Sequence, residues 1–172
     1  FLGPIEQSKP WNTNGIDGVF KFLNKFWNLF INKNNQLHIS DEEPNKNEYK
    51  ILHRAIKKIQ NDIERLSLNT CISLLMITVN ELGKINCNKI KILEPLLILI
   101  SPFAPHIAEE LWNKIGNEKS ISYANYPTFK NKYLIEDEYE YPIMINGKLR
   151  TKINFSLKAS TAATTPSNVS AL

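Results

Sequence analysis

The sequence predicts a mainly α-helical protein, an antiparallel bundle of five helices followed by a small C-terminal β-hairpin. Five segments repeat apolar residues every three or four positions, which gathers them on one face of a helix. Near the C-terminus the apolar residues instead alternate on both sides of Asn146-Gly147, a pattern typical of a hairpin. Hydrophobic residues make up 42% of the 172-residue chain, enough for one buried core. Short joints between the helices favour antiparallel neighbours.

The first two predicted helices each carry a continuous apolar stripe, which we expect to pack in the core. The first helix begins near Thr13 or Asn14, either of which can cap a helix. Its stripe is Ile16, Val19, Phe20, Leu23, Phe26, Trp27, Phe30 and Ile31. The second helix runs from about Asn45 to Ser67. Its stripe is Tyr49, Leu52, Ile56, Ile59, Ile63 and Leu66.

The next three helices are bounded by residues that start or break helices. Asn69 is expected to cap the third helix and Gly83 to end it. The fourth covers roughly residues 88–101 and is apolar nearly all round, so it should be the most buried element. Pro95 should kink or restart it, because a proline nitrogen cannot donate a hydrogen bond. The fifth begins at Pro105, a residue suited to a first turn.

Two registers of the hairpin fit the sequence. A two-residue Asn-Gly turn places Ile145 opposite Lys148. A three-residue loop or a bulge places Ile145 opposite Leu149 and gathers the apolar residues on one face. We favour this second register, which also places Ile143 opposite Thr151, since burial usually decides strand pairing.

Composition divides the chain into four parts. Residues 1–12, which begin Phe-Leu-Gly-Pro without an initiator Met, look like a linker cut from a longer protein. Residues 13–117 are predicted to form the bundle, and residues 118–157 an aromatic connector with the hairpin. Residues 158–172 are rich in Ala, Ser and Thr and are expected to be disordered.

The sequence motifs indicate no catalytic or metal site. The chain lacks a glycine-rich phosphate loop and the GxSxG, HExxH and paired-cysteine motifs. Cys71 and Cys87 are too few for a disulfide framework, and the three histidines are scattered. Such motifs do not test a site assembled from residues far apart in the sequence. The longest apolar run, residues 96–100, is far short of the ~20 residues that span a bilayer. With no signal peptide either, a cytoplasmic location is expected.

The charge of the chain favours acidic partners. Its formal net charge is +4, and its calculated pI is about 9.0. Residues 46–67 hold six basic residues against three acidic ones. A solvated helix face explains this bias about as well as a phosphate-binding surface does.

Several stretches occur in an order shared with one family of enzymes. They are Phe-Leu-Gly-Pro (1–4), Ser-Lys-Pro-Trp (8–11), Leu-Glu-Pro-Leu (93–96), Pro-Phe-Ala-Pro-His (102–106), Ala-Glu-Glu-Leu-Trp (108–112) and Asn-Gly-Lys (146–148). With these motifs the chain resembles the leucyl-tRNA synthetases, class I enzymes that attach leucine to its tRNA. That family's His-x-Gly-His and Lys-Met-Ser-Lys-Ser motifs, which handle ATP, are absent from this chain.

The resemblance implies the anticodon-binding bundle of a class I synthetase and the start of its C-terminal segment. Such a bundle docks the tRNA body mainly through shape and phosphate contacts, and holds no catalytic residue or cofactor itself. ATP with Mg, leucine and the reaction belong, by the same resemblance, to an N-terminal catalytic core that is its partner. No membrane partner is expected. The candidate tRNA contacts are Lys21, Lys25, Lys50, Arg54, Lys57, Lys58, Lys148, Arg150 and Lys152.

Two alternatives stay open at this point. The chain fits a free-standing helical module that binds another protein through its aromatic surface. It also fits the equivalent bundle of a valyl- or isoleucyl-tRNA synthetase, since the Pro-Phe and Glu-Glu-Leu-Trp elements are shared with those enzymes.

Overall fold

The computed structural model describes residues 3–4, 6–8, 10, 13, 15–135, 138–145 and 148–156. It divides the chain into two compact units, residues 1–134 and 135–172. The described part of the first unit contains five α-helices, so the predicted mainly helical fold is confirmed. They are α1 (Ile16–Trp27), α2 (Lys46–Glu64), α3 (Leu68–Lys84), α4 (Ile90–Ile100) and α5 (Pro105–Lys114).

Helix α4 is the centre of the core, as predicted. Its buried residues include Leu93, Leu96, Leu97 and Ile100, and α2 and α5 pack against it. The helix runs continuously through Pro95, so of the predicted kink or restart at this residue the restart is wrong. Close packing on several sides stabilises the helix despite the hydrogen bond that the proline removes. No helix in the described ranges is long and apolar enough to cross a membrane.

Helix α1 buries a narrower face than the sequence predicts. Phe22 and Phe26 are buried, whereas Ile16 and Phe20 are 54% and 63% exposed, so their predicted place in the core is wrong. The apolar residues of this helix form one broad face, and only the edge of that face that contacts α3 and α5 is buried. The helix begins at Ile16 after Gly15, later than predicted, and Asn14 lies outside the described residues.

Helix α2 begins at a capping box and buries a wider face than predicted. The Asn45 side chain accepts a hydrogen bond from the Glu48 amide (3.0 Å), and the Glu48 carboxylate accepts one from the Asn45 amide (2.7 Å). Ile51 and Ala55 join the core beside the predicted stripe. Leu66 is exposed because the helix ends at Glu64 and Leu66 takes a left-handed conformation (φ 56°).

Helix α3 has different ends from those predicted. It begins at Leu68 after Ser67, so Asn69 lies inside the helix and is not its cap. Gly83 also lies inside it. The left-handed residue that ends it is Asn86 (φ 50°), and the Cys87 amide donates back to the Leu82 carbonyl (3.0 Å). This is the hydrogen bond of a Schellman motif, which satisfies the last carbonyls of the helix.

The segment after α5 packs on the same unit through single turns of 3₁₀ helix at Ile121–Tyr123 and Asn131–Tyr133. Ile121 is buried in the core, and its amide donates to the Glu109 carboxylate (3.0 Å). The indole Nε1 of Trp112 donates to the Lys119 carbonyl (2.9 Å). These contacts fix the connector against α5.

The second unit contains two antiparallel strands, β1 (Glu138–Ile145) and β2 (Lys148–Ser156), which are described by their backbone. Ile143 lies opposite Thr151, as expected, but Ile145 lies opposite Lys148, so its predicted pairing with Leu149 is wrong. The register shifts between Ile143 and Met144, which places the irregularity inside the ladder and not at the turn. The predicted turn residues 146 and 147, half of the predicted linker at 1–12 and the predicted tail at 158–172 lie outside the described residues.

Candidate nucleic-acid interface

The basic residues of α2 make contacts within the first unit. Arg54 pairs with Glu81 of α3, and the Lys58 ammonium lies 2.7 Å from the Asp62 carboxylate one turn further along α2. The Lys57 ammonium lies over the ring of Phe129, 5.5 Å from its centroid. The Arg54 and Lys58 side chains remain 47% and 56% exposed. Each can therefore reach a further partner without leaving its present contact.

The basic residues of α1 lie one turn apart on its exposed side. Lys21 and Lys25 are both exposed, and the Lys25 ammonium donates to the Asn80 side-chain carbonyl (2.8 Å). A neutral amide orients the ammonium but does not cancel its charge. This end of α1 therefore presents positive charge in a fixed position.

Helix α3 contacts one candidate tRNA-binding residue from α1 and one from α2. Asn80 and Glu81 are consecutive residues, and they contact Lys25 and Arg54 respectively. These polar contacts join three helices across one surface. Lys50 is half-buried on α2. The remaining candidates, Lys148, Arg150 and Lys152, lie on β2 in the second unit, where the backbone alone is described.

A cleft of ≈ 480 Å³ opens at the C-terminal ends of α1 and α3, and we call it the α1/α3 cleft. Two lysines line it, Lys25 and Lys84, together with four asparagines and His38. None of the described residues that line it is acidic. Sequence patterns could not identify this cleft, because its walls come from three segments that no motif connects. A slight hint is the density of Asn and Lys between residues 80 and 91.

The described residues contain no group of three or more His, Cys, Asp or Glu side chains that could hold a metal ion. The one buried histidine among the described residues, His53, stacks on Tyr133, and Tyr49 stacks on the same tyrosine ring. Burial lowers its pKa, and the charges of Lys130 and Lys132 lower it further. His53 therefore acts as a packed, neutral ring.

Five packed helices form a helical-bundle domain with a basic, amide-lined cleft. Residues 45–165 match the family described as the anticodon-binding domain of tRNA ligase. That match covers well over half of the chain. The chain belongs to this family.

The individual relatives are leucine–tRNA ligases, which confirms the resemblance to leucyl-tRNA synthetases. The chain is 57% identical over 154 residues to a leucine–tRNA ligase of Cytophaga hutchinsonii, covering 90% of this chain and 17% of that protein. It is 50% identical over 163 residues to the leucine–tRNA ligase of Bacteroides thetaiotaomicron, covering 95% and 17%. The chain thus spans about a sixth of the length of these relatives.

A solved structure gives the same result. The LeuRS chain in the ternary complex of Agrobacterium radiobacter K84 agnB2 LeuRS, tRNA and LeuAMS superposes with a TM-score of 0.66 at 26% identity. The superposition covers 86% of this chain and 21% of that chain.

Proposed function

We propose that this chain is the tRNA-docking region of a leucine–tRNA ligase. It holds the body of leucine tRNA while a catalytic core outside this chain attaches leucine in an ATP- and Mg-dependent reaction. The observation that carries this proposal is the 57% identity to a leucine–tRNA ligase over 90% of the chain. The core and the tRNA are its partners, and the setting is the cytoplasm.

The described surface supports docking through phosphate contacts. Lys21 and Lys25 are exposed on α1, and the Lys25 ammonium donates to the neutral side-chain amide of Asn80. Lysine and arginine contacts to phosphate position an RNA without reading its sequence. Duplex RNA is recognised mostly by its shape and by its phosphates and hydroxyls, so a rigid helical surface suits it.

The other candidate contacts form two further groups. On α2, Lys50, Arg54, Lys57 and Lys58 supplement the α1 lysines, and the partial exposure of Arg54 and Lys58 supports this role. In the second unit we infer a small β-hairpin appendage that carries Lys148, Arg150 and Lys152. The antiparallel pairing of β1 with β2 supports it. The proposal also includes a linker at residues 1–12, a bundle that ends at residue 117 and a separate C-terminal tail at residues 158–172.

The test is the affinity of the chain for a leucine tRNA transcript at increasing salt concentration. Each phosphate contact releases counterions, so the logarithm of the affinity should fall linearly with the logarithm of salt concentration. Fluorescence anisotropy between ~50 and ~200 mM salt would show a loss of at least roughly tenfold.

Two comparisons make this test specific. A double variant, Lys21→Glu with Lys25→Glu, should bind more weakly and with a shallower salt dependence. Lys33→Glu with Lys119→Glu makes the same charge change at exposed positions outside the proposed surface and should retain most of the affinity. Binding that does not respond to salt, or equal binding of tRNA and heparin, would contradict docking.

A further inference from the structure

We propose that the α1/α3 cleft holds one unpaired nucleotide of the bound RNA. The phosphate would lie beside Lys25 and Lys84, and the base would lie among the asparagine side chains. This inference rests on the proposed function and adds a specific site to it.

The charge of the cleft fits an anionic ligand. Lys25 and Lys84 both lie in the last turn of their helices, where the partial negative charge of the helix end favours a cation. Each helix end supplies only about −0.5 of an elementary charge, so two lysines leave roughly one positive charge over. Two other cavities in the described residues each contain a carboxylate, Glu118 in one and Glu109 in the second.

The hydrogen-bonding groups of the cleft fit the edge of a base. Asn28, Asn80, Asn86 and Asn88 line it, and each side-chain amide offers both donors and an acceptor. Asn80 receives Lys25 at its carbonyl oxygen, so its NH₂ group faces away from that contact as a donor. The Asn88 amide nitrogen lies 3.4 Å from Nε2 of His38. Such amide groups pair with the mixed donors and acceptors of a base edge.

The floor and the size of the cleft fit a planar ring with its sugar and phosphate. Leu29, Val79 and Cys87 form the floor, and all three are buried. An apolar floor under polar walls suits the flat face of a base. The volume of ≈ 480 Å³ lies in the range of small-ligand sites and is larger than a phosphate group alone requires. A paired base stays within its duplex, so the occupant is unpaired.

The walls of the cleft are held in place by backbone hydrogen bonds. The Ser40 amide donates to the Asn88 carbonyl, and the Ile90 amide donates to the Ser40 carbonyl, both at 2.9 Å. The His38 amide donates to the Phe30 carbonyl (2.7 Å). These bonds join the segment before α2 to the segment before α4, so the walls have a defined separation.

Gly83 provides a test that changes the shape of the cleft and leaves its charge alone. It lies on the cleft wall, and a Cβ atom added there would have no heavy atom within 4 Å. Gly83→Trp should therefore fill the cleft without disturbing the core. Gly83→Ala is the matched control, and circular dichroism would show that both variants are folded. The probe is a leucine tRNA transcript, measured by fluorescence anisotropy at constant salt.

We expect Gly83→Trp to weaken tRNA binding about tenfold or more, the equivalent of losing a charge-assisted hydrogen bond, and Gly83→Ala to bind like the parent chain. Lys84→Glu should weaken binding by a similar factor, and Lys119→Glu by much less. If the parent chain binds tRNA and Gly83→Trp binds equally well, the cleft proposal is overturned and docking stands. If the parent chain does not bind tRNA, docking fails and the cleft proposal fails with it. Tighter binding of free AMP or UMP than of tRNA would also overturn it, since the cleft would then be a mononucleotide site.

Discussion

His53 of α2 and Tyr133 of the connector stack almost face to face, with ring centroids 4.6 Å apart and an interplanar angle of 5°. Tyr49 stacks against Tyr133 as well, at 4.4 Å. The Lys130 amide donates to Nδ1 of His53 (3.3 Å), which requires that nitrogen to be unprotonated. The imidazole is therefore neutral in the folded protein. Its contacts with Lys130 and Tyr133 hold the end of the connector against α2.

Stability should fall as the pH falls through the range in which free histidine titrates. Burial, with the charges of Lys130 and Lys132, lowers the pKa of His53 below its ordinary value of ~6.5. His53 therefore binds a proton more readily in the unfolded chain than in the folded one. The free energy of unfolding then decreases as the pH falls below about 7. It levels off below the folded pKa. Urea unfolding at several pH values between ~5 and ~7.5 measures this slope.

The matched variants for this prediction are His53→Gln and His106→Gln. The first removes the titrating ring and should flatten the slope. The second removes an exposed histidine at the start of α5 and should leave the slope unchanged. Equal slopes in all three proteins would show that His53 is not the group responsible.

Asp62 should be the most sensitive polar residue of the first unit. Its buried carboxylate accepts hydrogen bonds from the Lys58 ammonium (2.7 Å) and the Thr70 hydroxyl (2.6 Å), which joins the end of α2 to the start of α3. Burial raises its pKa, but the hydrogen bonds from Lys58 and Thr70 outweigh burial, so the pKa is lowered overall. Asp62→Ala should reduce the free energy of unfolding by about 1–3 kcal/mol. Asn61→Ala, at the exposed neighbouring position, is the control for urea unfolding.

Removing the capping box of α2, at the surface, should reduce stability by less than the loss of Asp62. Asn45→Ala removes the acceptor for the Glu48 amide and should cost about 1 kcal/mol of stability. Asn47→Ala, at the exposed second residue of the same helix, should change stability by less than ~0.5 kcal/mol. Chemical denaturation of the two variants side by side measures the difference, and equal stability would contradict a stabilising role for the cap.

The two thiols should be unreactive in the folded protein. Both cysteines are buried and free, and burial raises the pKa of Cys87 to about 11, with a further contribution from Glu48. Burial also raises the pKa of Cys71. The thiolate is the reactive form, so Ellman's reagent at pH ~8 should label neither cysteine until urea is added, and then both. A rapid reaction without urea would show that one of the two sites opens in the native state.

The sequence predicted where the helices of the first unit lie better than it predicted which side of each helix is buried. The burial of α4 was predictable because residues such as Leu96 and Leu97 leave it no polar side. The exposure of Phe20 and the burial of Phe22 were not predictable. The apolar face of α1 is broader than the edge that is buried, and periodicity does not show which edge meets α3. The position of Asn69 had the chemistry of a cap, yet the preceding turn at Leu66 allowed the helix to begin earlier.

The candidate interface was predicted in composition but not in its contacts. Helical spacing placed Arg54 and Lys58 on an exposed face, as found. Their partners depend on tertiary packing, since Glu81 lies on another helix, and the ring below Lys57 comes from a connector more than seventy residues away. Lys84 had no pattern to distinguish it from any solvated lysine. The α1/α3 cleft exists only where three separate segments meet.

Two hydrogen bonds between Ser40 and the segment at 88–90 should make opening of the α1/α3 cleft wall slow. They join positions about fifty residues apart, so opening this wall requires two distant segments of the chain to separate. The amide protons of Ser40 and Ile90 are therefore expected to exchange with solvent only when the whole unit unfolds, as slowly as those of α4. A wall that opens so rarely loses little conformational entropy when a ligand arrives, so nearly all of the contact energy is available for affinity.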